Sequence, residues 1–279
     1  MKFSFLILLF FSLSTEVVSQ SLKQTNIEDI INGYKESLAT AEVIEDCGHA
    51  LDGPAYWVKA MENRSLDMAL PAVHFNKDEI GKKIYREIIK VNEVSGKHTA
   101  EAGILQIISN LSSKMLPSER RVFKLTILDS GEINAYSTVG GYIYITTGLI
   151  DFVDSADELA FIIGHEMGHD VLLHTQRKVT KLLLSSDLLG KVNLENYTNL
   201  VVGINTRFTA PFDQIDEYEA DEYGVRLAAK AGYNPDRFGD FFKKIEKGEG
   251  RGLLKKLTAT HPFASHRRKC LNHYISEKR

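Results

Sequence analysis

Cysteine, proline and tryptophan are all scarce in this 279-residue chain, which has two, six and one of them, and neither sign of charge dominates. The two cysteines, Cys47 and Cys270, follow no C-x-x-C spacing, which argues against a closed, thiolate-rich metal site. With so few prolines, and no Gly/Ser-rich linker, internal repeat or low-complexity tract, nothing divides the chain into several domains. Lys and Arg number 34 against 37 Asp and Glu, for a net charge of -3, so no basic excess points to a nucleic acid or a membrane surface. Beyond the N-terminus no uninterrupted apolar run approaches the roughly 18 residues of a spanning helix. The most apolar stretch, "LLLSSDLLGKVNLENYTNLVVGI", is broken by Asp187, Lys191 and Glu195.

The N-terminus differs. "MKFSFLILLFFSLSTEVVSQS" places Lys2 before an apolar run from Phe3 to Leu13 and then small and polar residues. That is the order of a secretory signal peptide, and Val17 and Ser19 suit cleavage after Ser19. The expected organisation is a signal peptide over 1–19, an N-terminal helical segment over 20–77 and a main domain over 78–279. Export, to a periplasm or the extracellular space, would permit Cys47 and Cys270 to form a disulfide; two separate buried thiols are the alternative. The mature chain is expected not to span a membrane.

Along the rest of the chain, residues 22–46 and 78–115 read as amphipathic helices, with Ile80, Ile84, Ile88 and Val91 on one side of the second. The period then changes. "RVFKLTILD", "INAYST" and "GYIYITT" read as a small meander of antiparallel strands, the last two separated by Gly140 and Gly141. In "DSADELAFIIGHEMGHDVLLH" the helical period returns, and Ser155 with Glu158 fits an S-x-x-E capping box.

That helix carries "HEMGH". His165 and His169 stand four residues apart, so one helix face presents two imidazole nitrogens to a single cation. Glu166 projects beside them, where a carboxylate can take the proton of a water that the metal has acidified. H-E-x-x-H is the recognised signature of zinc peptidases. A catalytic zinc needs a third protein ligand. His174 lies nine residues after His165, whereas the metzincin pattern wants histidine at ten and glycine at seven; Thr175 and Leu172 stand there instead. On a continuous helix His174 points away from the ligand face, and reads as a packing or supporting residue. "DEYEADEYG" offers Glu217 and Asp221, an i, i+4 pair that could supply a ligand and a carboxylate to orient a zinc histidine. A solvated acidic helix face is the competing reading.

Taken together, these segments resemble the HtpX-like and BepA-like zinc metalloprotease family, which includes the CAAX-prenyl endopeptidases. The resemblance rests on "EIGKKIYREI", on "INAYSTVGGYIYITTGLIDFVDSADELAFIIGHEMGHDVLLH", on "EYEADEYG" and on "THPFASHR", over about residues 78–275. Val139 departs from it, standing where the family often has proline. The resemblance implies an α+β fold: a mainly helical zincin domain of the gluzincin kind with a small antiparallel sheet. It further implies one zinc per chain on His165, His169 and Glu217, Glu166 as general base, and Asp221 holding a zinc histidine. Asn134, Ala135, Tyr136, Ser137 and Thr138 would form an edge strand that pairs with substrate backbone. His261, in the T-H-P loop, would donate to a developing oxyanion, or merely cap the following helix.

The activity so implied is that of a zinc endopeptidase on unfolded or damaged exported proteins, with proteins or peptides as partners. A non-catalytic, chaperone-like client-binding protein on the same fold is the alternative, and the intact Glu166 speaks against it. A purely structural zinc site is a third reading, weakened by the cysteine spacing.

Overall fold

The computed structural model describes residues 54–69, 76–187, 214–250, 252–254, 257, 261 and 264–277. The signal peptide, the helix read over residues 22–46 and Cys47 all lie outside these. Among the described residues, no helix is long and apolar enough to cross a membrane.

The first helix, α1 (Pro54–Ala69), leads to α2 (Lys77–Val91) and α3 (Glu101–Lys114). Helix α2 starts at Asn76, whose side chain accepts from the backbone N–H groups of Asp78 and Glu79. Its buried face is Ile80, Ile84 and Ile88, each worth about 1.5–3 kcal/mol when removed from water. The single helix expected over 78–115 is thus two. The break falls where the Ser95 N–H donates to the Ile127 carbonyl at 2.9 Å and the Asp129 N–H to the Glu93 carbonyl at 2.8 Å, tying this stretch to the sheet.

Three strands follow: β1 (Lys124–Leu128), β2 (Ala135–Thr138) and β3 (Tyr142–Thr146). Their order is β1-β3-β2, with β1 parallel to β3 and β2 antiparallel to it. The expected antiparallel meander is therefore corrected to a small mixed sheet. Side-chain alternation assigns faces to a strand but not neighbours. The β2–β3 hairpin closes at Gly140 and Gly141, which have φ values of 90° and 77°, a left-handed conformation that glycine adopts without strain. Strand β3 is the central strand and is buried throughout. Tyr142 and Tyr144 face α2, where Tyr142 stacks on Tyr85 at 5.1 Å, while Ile143 and Ile145 enter the main core on the other face.

A short helix α4 (Thr147–Phe152) leads to α5 (Ala156–Val171), which carries the H-E-x-x-H residues. The Ser155 hydroxyl accepts from the Glu158 N–H at 3.1 Å, as the sequence predicts. The Glu158 carboxylate reaches back one residue further, to the Asp154 N–H at 2.9 Å, and also binds Lys244. From Glu158 to Asp170 every residue of α5 is buried. Beyond it lie α6 (His174–Asp187), α7 (Gln214–Lys230), a 3-10 turn (Pro235–Arg237), α8 (Asp240–Glu246) and α9 (Ala264–Glu277).

Helix α7 packs along α5 at very short range. A Cβ built on Gly224 would lie 2.9 Å from the His165 backbone nitrogen, and one on Gly164 would lie 3.2 Å from the Gly224 Cα. Only glycine permits that approach. Gly224, Asp221 and Glu217 share one face of α7, so the crossing carries both carboxylates against the histidines of α5.

Candidate active site

The acidic face of α7 is not solvated. Glu217 and Asp221 are fully buried, as is His169, and His165, Glu166 and His261 are nearly so. Burying this many polar groups is costly unless each is paired.

Four donor atoms converge. His165 Nε2 lies 3.0 Å from His169 Nε2 and 3.4 Å from His261 Nδ1. Glu217 Oε1 lies 3.4 Å from His169 Nε2 and 3.0 Å from His261 Nδ1, and Oε2 lies 3.8 Å from His165 Nε2. A tetrahedral zinc with bonds of about 2.0–2.1 Å holds its ligands about 3.3 Å apart. The imidazole and carboxylate set, with these spacings, fits such an ion. Burial pushes the His169 imidazole well below its ordinary pKa, so the ring is neutral and its lone pair is available to a cation. For Glu217 burial alone would raise the pKa, but Arg267 and His261 beside it hold the carboxyl well below the carboxylate range.

Asp221 lies against the far side of the His165 ring: its Oδ1 accepts from His165 Nδ1–H at 2.9 Å, which leaves Nε2 to face the cluster. Glu166 projects beside the donors, with Oε1 3.5 Å from His261 Nε2. Its Oε2 is buried and makes no hydrogen bond among the described residues. Burial pushes its carboxyl up, while His261 and His165 pull it back down. A raised pKa and a spare oxygen suit a group that must accept a proton. Strand β2 is an edge of the sheet and runs beside α5. An apolar cavity lined by Phe161, Ile162, Phe241, Phe242, Ile245 and Leu257 adjoins His165 and Glu166.

Two features are absent from the sequence reading. The first is Arg267, the last residue of "THPFASHR". It is buried and grips Asp221 with two hydrogen bonds of 2.7 Å, while its third nitrogen meets Glu217. The signal lay in charge balance, since two buried carboxylates require a buried cation. The second is the end of α5. Arg121 caps it, binding the carbonyl of Asp170 at 3.0 Å and its carboxylate at 2.9 Å. The chain then reverses through Leu173, whose φ of 66° costs a non-glycine residue about 1–2 kcal/mol. His174 thereby swings back against His169, with the two Nδ1 atoms 3.1 Å apart. The continuous helix expected here does not exist.

Comparison with known proteins agrees with the geometry. The chain is 26% identical over 241 residues to the metalloendopeptidase OMA1 of Bos taurus, covering 79% of this chain and 46% of that protein. It is 32% identical over 152 residues to the mitochondrial metalloendopeptidase OMA1 of Arabidopsis thaliana, covering 53% and 31%. Over 182 residues it is 22% identical to the β-barrel assembly-enhancing protease of Escherichia coli, covering 59% and 37%. These matches thus span between about a third and a half of each relative's length. Residues 99–275, well over half of the chain, match the family that brings these relatives together, and the chain belongs to peptidase family M48.

Proposed function

We propose that this protein is a zinc-dependent endopeptidase. The observation that carries the proposal is the convergence of His165, His169 and Glu217 within 3.0–3.8 Å, beside a Glu166 oxygen that has no hydrogen-bond partner among the described residues. The relatives named as metalloendopeptidases support it. When bound, zinc would polarise the scissile carbonyl and acidify a water. Glu166 would take the proton of the attacking water at Oε2 and return it to the leaving amine. Asp221, braced by Arg267, would fix the tautomer of His165, and Arg267 would also anchor Glu217.

His261 has a double role in this reading. As a fourth donor it would close the shell of a bound metal, and hydrolysis would then require its ring to withdraw. Once withdrawn, the ring could donate to the oxyanion from Nε2. Residues Asn134–Thr138 would receive an extended substrate by backbone pairing, and the cavity beside Glu166 favours an apolar side chain next to the scissile bond.

The substrates we propose are unfolded or damaged exported proteins, met in a periplasm or outside the cell after removal of residues 1–19. Export would also permit a Cys47–Cys270 disulfide, which two alkylatable cysteines after oxidative refolding would rule out. The deciding experiment measures metal content and casein cleavage with and without a chelator. One zinc per chain and chelator-sensitive cleavage are expected. A metal-loaded chain that holds unfolded clients without cutting them would favour the chaperone-like alternative.

A further inference from the structure

A second group of metal-binding residue types lies behind the first: His174, Asp216 and Glu219. We infer that it is not a second metal site but a support for the first, in which His174, braced by Glu219, holds His169 in its metal-binding tautomer. The inference rests on the proposed role of His169 as a ligand.

Proton placement carries it. His169 Nε2 faces His165 and Glu217, at 3.0 and 3.4 Å, so that nitrogen is the donor to a cation and the ring proton sits on Nδ1. At 3.1 Å from it lies His174 Nδ1, which must therefore be the acceptor. The proton of His174 is then on Nε2, where Glu219 Oε2 accepts it at 2.9 Å. A protonated Nε2 has no lone pair for a metal. Asp216 Oδ1 lies 3.7 Å from the same nitrogen and 3.2 Å from the Lys59 ammonium, a cation that already pairs this carboxylate.

The backbone makes the same point. Five residues on along a continuous helix, His174 would sit about 140° around the axis from His169. The left-handed Leu173 ends α5 and turns the His174 ring back onto that partner. Leu172 and Arg177 secure the reversal: the Leu172 carbonyl accepts from the Arg177 guanidinium at 2.8 Å. The two zinc histidines are thus supported unequally. From Nδ1, His165 donates directly to a carboxylate, whereas the Nδ1 of His169 meets a second imidazole that a carboxylate braces.

Zinc affinity of the full mature chain, measured by competition with a chromophoric chelator, tests this directly. His174→Leu should weaken zinc binding by about ten- to a hundred-fold, the usual size of such a loss. His174→Asn, whose side-chain oxygen can accept near the Nδ1 position, should recover most of it. Glu219→Ala should weaken binding several-fold, and its partly exposed side chain makes it a usable variant if His174→Leu does not fold. In the zinc-loaded protein labelled with nitrogen-15 in histidine, the ring N–H protons of His169 and His174 should exchange slowly beside that of His165, and the His174 signal should be lost in Glu219→Ala. Unchanged affinity in both His174→Leu and Glu219→Ala, with normal binding by the wild type, would overturn this inference alone. So would a second zinc per chain that Glu219→Ala removes. A wild-type chain that takes up no zinc would overturn the endopeptidase reading and this support with it.

Discussion

Helices α2 and α5 pack against opposite faces of the same small sheet and follow different rules. Helix α2 buries three isoleucines at i, i+4 and i+8 and leaves its charged residues in water. Helix α5 buries everything from Glu158 to Asp170, including two histidines, two glutamates and an aspartate. In α2 the hydrophobic effect alone accounts for the placement. In α5 buried polar groups lean on partners from elsewhere in the chain, Lys244 for Glu158, Arg121 for Asp170 and Asp221 for His165, while Glu166 keeps one oxygen with no hydrogen bond among the described residues. The first helix contributes stability, and the second spends part of it to hold a chemically competent cluster.

Exchanging one atom type in α5 should therefore abolish chemistry without unfolding the protein. Glu166→Gln is expected to lower the cleavage rate by about 10²–10⁴-fold while zinc content stays at one per chain, because the residue handles protons and does not hold the metal. Elemental analysis alongside a casein assay checks it, and a variant that has lost its zinc would contradict the division of roles. The complementary test is in α2. Ile84 is fully buried among Val139, Tyr142 and Tyr144, so Ile84→Ala should cost about 2–5 kcal/mol in denaturant unfolding. Zinc affinity of the molecules that remain folded should not change.

How much of this could be read from the sequence follows the same division. Helix α2 was legible because period and burial coincide. His165, Glu166 and His169 were legible because a single helical turn defines their spacing. Glu217 and Asp221 needed the family resemblance, since on composition alone their helix looks solvated. Sheet order was not legible, because alternation in β1 and β3 is the same whether the pair is parallel or antiparallel. The return of His174 was hidden by Leu173, a residue that gives no hint of left-handed backbone as glycine would. Arg267 lay in view, but its meaning depends on two carboxylates that only the fold brings to it.

Intermediate in size is the effect of loosening the support of His165. Asp221→Asn should weaken zinc binding by about ten- to a hundred-fold, because the amide keeps the shape but not the charge that pairs with Arg267 and His165. Unaltered affinity in the chelator competition would return Asp221 to a purely structural role.

The smallest effects should come from glycine, and their sign should distinguish the two kinds of helix. Gly224 sits where α7 crosses α5, and an added methyl would meet the His165 backbone nitrogen at 2.9 Å and the Phe161 carbonyl oxygen at 3.1 Å. Neither is a side chain that can rotate aside, so the helices must part. Gly224→Ala should destabilise the fold by about 1–3 kcal/mol, as overpacking does, and weaken zinc binding as well, because Glu217 travels on the helix that moves. Gly103 lies exposed on α3 with nothing within 4 Å of an added methyl. There the same substitution removes only backbone freedom from the unfolded chain, so Gly103→Ala should stabilise by about 0.5–1 kcal/mol and leave zinc affinity alone. Thermal unfolding of the two variants, with and without zinc, measures both. A Gly224→Ala protein as stable and as tightly metallated as the wild type would mean that the α5–α7 crossing is not what sets the spacing of the site.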